Sequence, residues 1–216
     1  MTTFNINTTY KRLLADTLTP VSIYLKLRDR FVNSILLESS DYRGNENSFS
    51  YICCDPVASF KLNQEVIHIQ YPDQSKEEFT LANRKDAITH LQEFAQKFEQ
   101  NSTNFPFITN GLFGHMTYDS VSYFEDINIQ DVSEESAIDQ IYYQVFRYVI
   151  AINHYKNELY IFQHTYDGET PSETSLQQLE TLIFNRNFPS YSFSIASEES
   201  SNVTDDEMRG VIKKCI

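Results

Sequence analysis

Glu38 and Ser39 set a carboxylate and a hydroxyl side by side at the end of the apolar run Ser34-Ile35-Leu36-Leu37, where they can bond a small polar ligand or the chain itself. Read on their own, Ser39 is a strand-end hydroxyl bonding local backbone and Glu38 a solvated or lysine-paired carboxylate. Neighbouring side chains of a strand face opposite ways, so only one of the two is expected to meet a ligand directly. Other groups able to do chemistry are sparse. His68, His90, His115, His154 and His164 are scattered, with no Cys, Asp or Glu at metal-ligand spacing, and no metal is expected in the chain. Cys53 and Cys54 are adjacent and so poorly placed for a mutual disulfide or a shared metal; with Cys215 they read as buried, reduced thiols. Gly111 and Gly114 are too few and wrongly spaced to cradle a phosphate, which leaves close backbone packing as their reading. Asp119 is expected to cap or close a turn. No glycine-flanked serine marks a hydrolase nucleophile.

The elements that must position these groups follow from pattern. Thr19-Pro20 opens a helix over about 20–30, with Ile23, Tyr24, Leu27 and Phe31 at helical spacing. Residues 34–39 and Phe49 to Cys53 read as strands joined by a polar loop, and Ala58 to Leu62 and Val66 to Tyr71 as a hairpin around Asn63-Gln64-Glu65. Asn83 is expected to cap an amphipathic helix bearing Ile88, Leu91, Phe94 and Phe98. Ile141 to Asn153 and Glu158 to Thr165 form the clearest hairpin, and Ser172 is expected to cap a helix that ends near Asn187. A Ser-rich linker follows. Thr204-Asp205-Asp206-Glu207 is a capping box, with Met208, Val211, Ile212, Cys215 and Ile216 on one helical face behind it.

The 216 residues are 41% hydrophobic and 14% aromatic, which suits a packed core. A net charge of −13 without a Lys/Arg cluster argues against nucleic acid and anionic membranes as partners. No apolar run is long enough for a span, and the N-terminus lacks a signal-peptide pattern, so a cytoplasmic protein is expected.

Two stretches resemble the N-terminal domain of anthranilate synthase component I and its relative, aminodeoxychorismate synthase component I. The first is Thr19-Pro20-Val21, then Leu36-Leu37-Glu38-Ser39, Asn47-Ser48-Phe49-Ser50-Tyr51-Ile52 and Asp55-Pro56. The second is Asn110-Gly111-Leu112-Phe113-Gly114-His115-Met116-Thr117-Tyr118-Asp119, with Val121, Phe124 and Glu125 behind it. Order and spacing together make the combination specific. Ser48 stands where the family usually has arginine, and His115 where it usually has tyrosine.

The resemblance implies an α+β fold, mainly antiparallel β-sheets packed as a sandwich with flanking helices. It divides the chain into a regulatory domain over 1–189, a linker over 190–203, and over 204–216 the first helix of a truncated chorismate-binding catalytic domain. It implies that the intact protein makes anthranilate and pyruvate from chorismate and ammonia. Mg²⁺ would be bound outside this chain, and a glutamine amidotransferase subunit (anthranilate synthase component II) would supply the ammonia. L-tryptophan is the implied feedback inhibitor. The family's inhibitory site carries over to Ser39, with Glu38, Asn47, Ser48 and Phe49 completing it; no catalytic residue is expected here. The alternatives are an aminodeoxychorismate synthase of folate synthesis, a free-standing amino-acid-binding module, and a protein-interaction domain.

Overall fold

The computed structural model describes residues 3–38, 48–98, 104–127, 138–169, 172, 174–186, 192, 194–198 and 200–215. Their axis is an antiparallel ladder between β3 (Phe49–Asn63) and β7 (Ile141–Asn153). Both strands are rich in the aromatic and β-branched residues that suit a pleated, buried surface, and β7 is buried at every position from Gln144 to Asn153. Each long strand takes two short partners on its outer edge, one per half. On β3 these are β2 (Ile35–Leu37) and β4 (Val66–Gln70); on β7 they are β6 (Phe113–Met116) and β8 (Glu158–Tyr166). One end is completed by β1 (Ile6–Leu14) on β8, and the other by β5 (Lys76–Thr80) on β4.

The chain is thus α+β and its sheet wholly antiparallel, as expected, but the eight strands form one continuous sheet. Asp55-Pro56 does not end a strand. β3 runs through it as a bulge, with a register slip between Pro56 and Ala58 and Asp55 at a φ of 61°. A bulge bends its strand and raises the local twist, so the two halves of the ladder support different layers. Against the first half, α1 (Pro20–Arg28) and α3 (Leu176–Phe184) pack on Ile52, Ile150, Ile152 and Ile161. Against the second half, α2 (Asp86–Gln96) packs on Phe60, Leu62 and Ile67. The far ends of β1 and β8 cross to this second core, where Phe4 stacks on Tyr71 at 5.7 Å and Tyr166 meets the edge of Phe98 at 5.9 Å.

Helix starts depart from expectation in two places. Asn83 forms a tight turn, its side-chain carbonyl accepting from the Lys85 amide at 3.0 Å, while α2 begins at Asp86 without a side-chain cap. α3 is capped by Ser175, which shares a capping box with Gln178; Ser172 instead receives the Thr174 amide at 3.1 Å. The capping box at Thr204 and Glu207 does form, and α4 (Asp205–Cys215) follows it with no residue buried. Cys215 is therefore exposed, unlike the buried Cys53 and Cys54. No helix among the described residues is long and apolar enough to cross a membrane.

The bulge is held by charge. Arg147 lies in the most apolar strand, yet its Nε donates to Asp55 at 2.7 Å and its Nη1 to Glu169, just beyond β8, at 2.5 Å. Burial pushes the Glu169 carboxyl up from its ordinary range against the opposing pull of Arg147, and its second oxygen is buried without a hydrogen-bond partner among the described residues.

Two substitutions test this frame by urea denaturation. Arg147→Met leaves two carboxylates uncompensated and is expected to cost about 3–5 kcal/mol. Gly114 in β6 abuts the Tyr142 carbonyl so closely that an added Cβ would overlap it, with the Tyr143 Cα at 2.9 Å; Gly114→Ala is expected to cost about 1–3 kcal/mol. The control is Gly111→Ala, whose Cβ would enter open space, contrary to the close packing expected there, and which should lose far less.

Candidate functional site

Of the residues expected to contact ligand, Glu38, Ser48 and Phe49 are described and lie at the first-half end of the ladder. β2 pairs with β3 in the register Ile35↔Cys53, Leu36↔Ile52, Leu37↔Tyr51. This brings Leu36 and Leu37 beside Ile52 and Tyr51 near the start of β3. Glu38 follows directly and is exposed; Ser48 and Phe49 are half-buried. Ser39 and Asn47 lie outside the described residues. The Ser48 carbonyl accepts from the His154 amide at 3.0 Å, and Ser50 Oγ lies 2.7 Å from His154 Nε2. His154 comes from the turn between β7 and β8. Sequence reading alone gave no reason to place it here, because the contact spans 104 residues.

Phe49 opens onto an aromatic wall. Its ring lies 4.7 Å from Phe107 and 6.1 Å from Tyr51, and Phe107 lies 5.1 Å from Tyr160. Phe105 adds edge contacts to Tyr10, Tyr160 and Phe162 at 5.0–5.6 Å. Offset and edge-on pairs of this kind are each worth about 0.5–1.5 kcal/mol beyond the area they bury. Phe105 and Phe107 belong to a segment without regular structure, held down by side chains. Tyr51 bonds to the backbone of Ile108, a contact that opposes the rise in its pKa caused by burial. The Asn110 amide donates to the Tyr166 hydroxyl at 3.2 Å.

His164 is the buried anchor of this segment. Its Nε2 lies 2.9 Å from the Thr109 carbonyl, which can only accept, so Nε2 carries the proton and Nδ1 accepts from the Thr8 hydroxyl at 2.9 Å. Burial lowers its pKa to about 4, against the opposing effect of the Thr109 bond. This is a satisfied core imidazole.

A separate polar recess of about 610 Å³ is lined by Asp29, Arg30, Asp55, Arg147, Ser172 and Thr174. No group of three or more His, Cys, Asp or Glu that could hold a metal ion is found among the described residues. Asp119 sits in the first turn of a short 3-10 helix over Tyr118–Tyr123, directly after β6.

Known proteins resemble this chain along most of its length. The model of the chorismate binding enzyme family matches residues 33–216, and the chain belongs to that family. Among its relatives are anthranilate synthase component 1 of Lactococcus lactis subsp. lactis (strain IL1403), 25% identical over 166 residues covering 76% of this chain and 34% of that protein, and the same component of Aquifex aeolicus (strain VF5), 29% identical over 125 residues covering 57% and 24%. The chain thus spans about a third or less of these relatives' lengths. A solved structure of anthranilate synthase component I from Streptococcus pneumoniae TIGR4 superimposes with a TM-score of 0.41 at 23% identity, over 80% of this chain and 35% of that one.

His164 gives the site a pH signature. Its folded pKa lies below the unfolded value, so its contribution is full above about pH 6.5 and is lost as pH falls towards about 4. The stake is about 3 kcal/mol. Urea midpoints of the wild type and His164→Gln, compared from pH 7.5 to 4.5, should show the wild type losing stability more steeply on acidification; parallel curves would be the contrary result.

Proposed function

We propose that this chain is the N-terminal, tryptophan-sensing part of an anthranilate synthase component I. The observation that carries the reading is the β2–β3 register, which pairs Leu36 and Leu37 with Ile52 and Tyr51, two residues from Phe49 at the rim of an aromatic wall. A free amino acid offers an ammonium that needs acceptors, a carboxylate that needs donors and a side chain that needs an apolar surface. In the site carried over by resemblance, the Ser39 hydroxyl and the Asn47 amide supply donors and acceptors and Phe49 supplies a face for an indole, with Glu38 and Ser48 next to them in the chain. Family membership and relatives named anthranilate synthase component 1 support the choice of pathway.

In this reading the intact enzyme, in the cytoplasm, turns chorismate and ammonia into anthranilate and pyruvate. Its acid–base groups and the carboxylates that hold Mg²⁺ lie outside these 216 residues, and a glutamine amidotransferase subunit delivers the ammonia. α4 is then the first helix of the chorismate-converting domain. Met208, Val211 and Ile212, each about half exposed, are the face that domain would cover. Inhibition follows if tryptophan binds one arrangement of the two domains better than another.

The test is calorimetric titration of L-tryptophan into the chain, with an anthranilate fluorescence assay in chorismate, Mg²⁺ and ammonia alongside. The expected outcome is saturable binding, weakened about tenfold or more by Phe49→Ala, and no anthranilate. A silent titration overturns the sensing role, and anthranilate formation overturns the placement of the chemistry outside this chain.

A further inference from the structure

We infer that His154 is the positioning residue of the effector site, a latch that fixes the direction of Phe49 from behind; this rests on the tryptophan reading above. Ser48 and the first two residues of β3 are held on fewer sides than the residues that follow. From Tyr51 to Cys53 the strand is flanked on both edges, by β2 and by β7. Ser48, Phe49 and Ser50 have only the β7 side: the last ladder pairs are Ser50↔Ile152 and Phe49↔Asn153, and among the described residues no strand covers their other edge. A strand end held on one side frays unless something further ties it down.

His154 supplies that tie twice over. Its backbone amide donates to the Ser48 carbonyl at 3.0 Å, and its ring Nε2 lies 2.7 Å from Ser50 Oγ. One residue of the β7–β8 turn therefore grips the residues immediately before and after Phe49. Ser50 is fully buried, so its hydroxyl must have a partner or bear the cost of an unmet hydrogen bond. Alternation puts Ser50 and Phe49 on opposite faces, and the grip on Ser50 leaves the Phe49 ring directed at Phe107. The Asn153 side chain steadies the turn by accepting from the Lys156 amide at 2.9 Å. His154 touches no ligand in this account; it acts through Ser48 and Phe49.

The amide contact survives substitution at 154, so the ring contact can be removed alone. His154→Ala and Ser50→Ala should each weaken L-tryptophan binding about tenfold, in keeping with the loss of one buried hydrogen bond. The double variant should lose no more than either single one. His154→Gln, whose amide can still reach Ser50, should bind within about threefold of wild type. Calorimetry on the chain reads these affinities. Hydrogen exchange of residues 48–50 without ligand reads the latch itself: His154→Ala should speed exchange and His154→Gln should not. Wild-type affinity in His154→Ala, binding by His154→Gln as weak as that of the alanine variant, or losses that multiply in the double variant would overturn the inference. No tryptophan binding by wild type would sink the effector reading, and with it this role in ligand binding; unchanged exchange in His154→Ala would sink the latch.

Discussion

The bend in the β3–β7 ladder is the constraint on which the rest of the molecule depends. β3 can serve two different outer partners only if its outer edge changes hands midway. β2 reaches as far as Cys53 and β4 starts at Ser59. Pro56, which has no amide hydrogen to give, falls in the gap between them, where none is asked for. The extra residue is Val57, between Pro56 opposite Phe146 and Ala58 opposite Val145; Asp55 just before it is left-handed, and such a conformation in a non-glycine residue persists only where its surroundings over-determine it. Arg147 does so from the neighbouring strand, and by taking Glu169 as well it fastens the end of β8 to the same point. A buried cation between two carboxylates is weak evidence for net stability. Its structural value is that it permits one geometry, in which the bulge, β7 and the chain beyond β8 agree.

The sequence displays the elements whose signals are local and hides those whose signals are distant. The β7–β8 hairpin, α1 and the capping box of α4 are legible because apolar period, Thr19-Pro20 and Thr204 to Glu207 each act within a turn or two. β5, Lys76-Glu77-Glu78-Phe79-Thr80, shows no strand composition. It is an edge strand whose charges face water, as edge strands need to be, and only its pairing with β4 makes it a strand. β1, Asn7-Thr8-Thr9-Tyr10-Lys11-Arg12 between apolar ends, is hidden for the same reason. Asn83 and Ser172 are good capping residues used for turns a few positions early, because the first buried helical positions, Ala87 and Leu179, fix where each helix can begin.

The candidate site divides the same way. Glu38, Ser48 and Phe49 can be picked out from sequence through their setting at the ends of apolar runs and through resemblance. Arg147, His154 and His164 cannot, since what distinguishes each is a partner 50 to 160 residues away: Asp55 for Arg147, Ser50 for His154, and Thr8 and Thr109 for His164. In the sequence they are single polar residues in or beside apolar strands, with no spacing to read.

Phe49 stands between elements of very different stiffness, and this determines where a ligand at Phe49 can exert force. On one side is the ladder, whose hydrogen bonds are made on both edges from Tyr51 to Cys53 and whose bend is fixed by Arg147. On the other is the segment through Phe105, Phe107 and Thr109, held by ring contacts and by single bonds from His164, Asn110 and Tyr51. Packed strands admit discrete rearrangements rather than continuous deformation, and separating paired strands means breaking several hydrogen bonds at once. Moving Phe107 breaks none of the ladder and trades one aromatic contact for another. A molecule placed against Phe49 therefore acts first on Phe107 and through it on Tyr160 and Phe162, carrying any response across the aromatic face while the sheet beneath keeps its register.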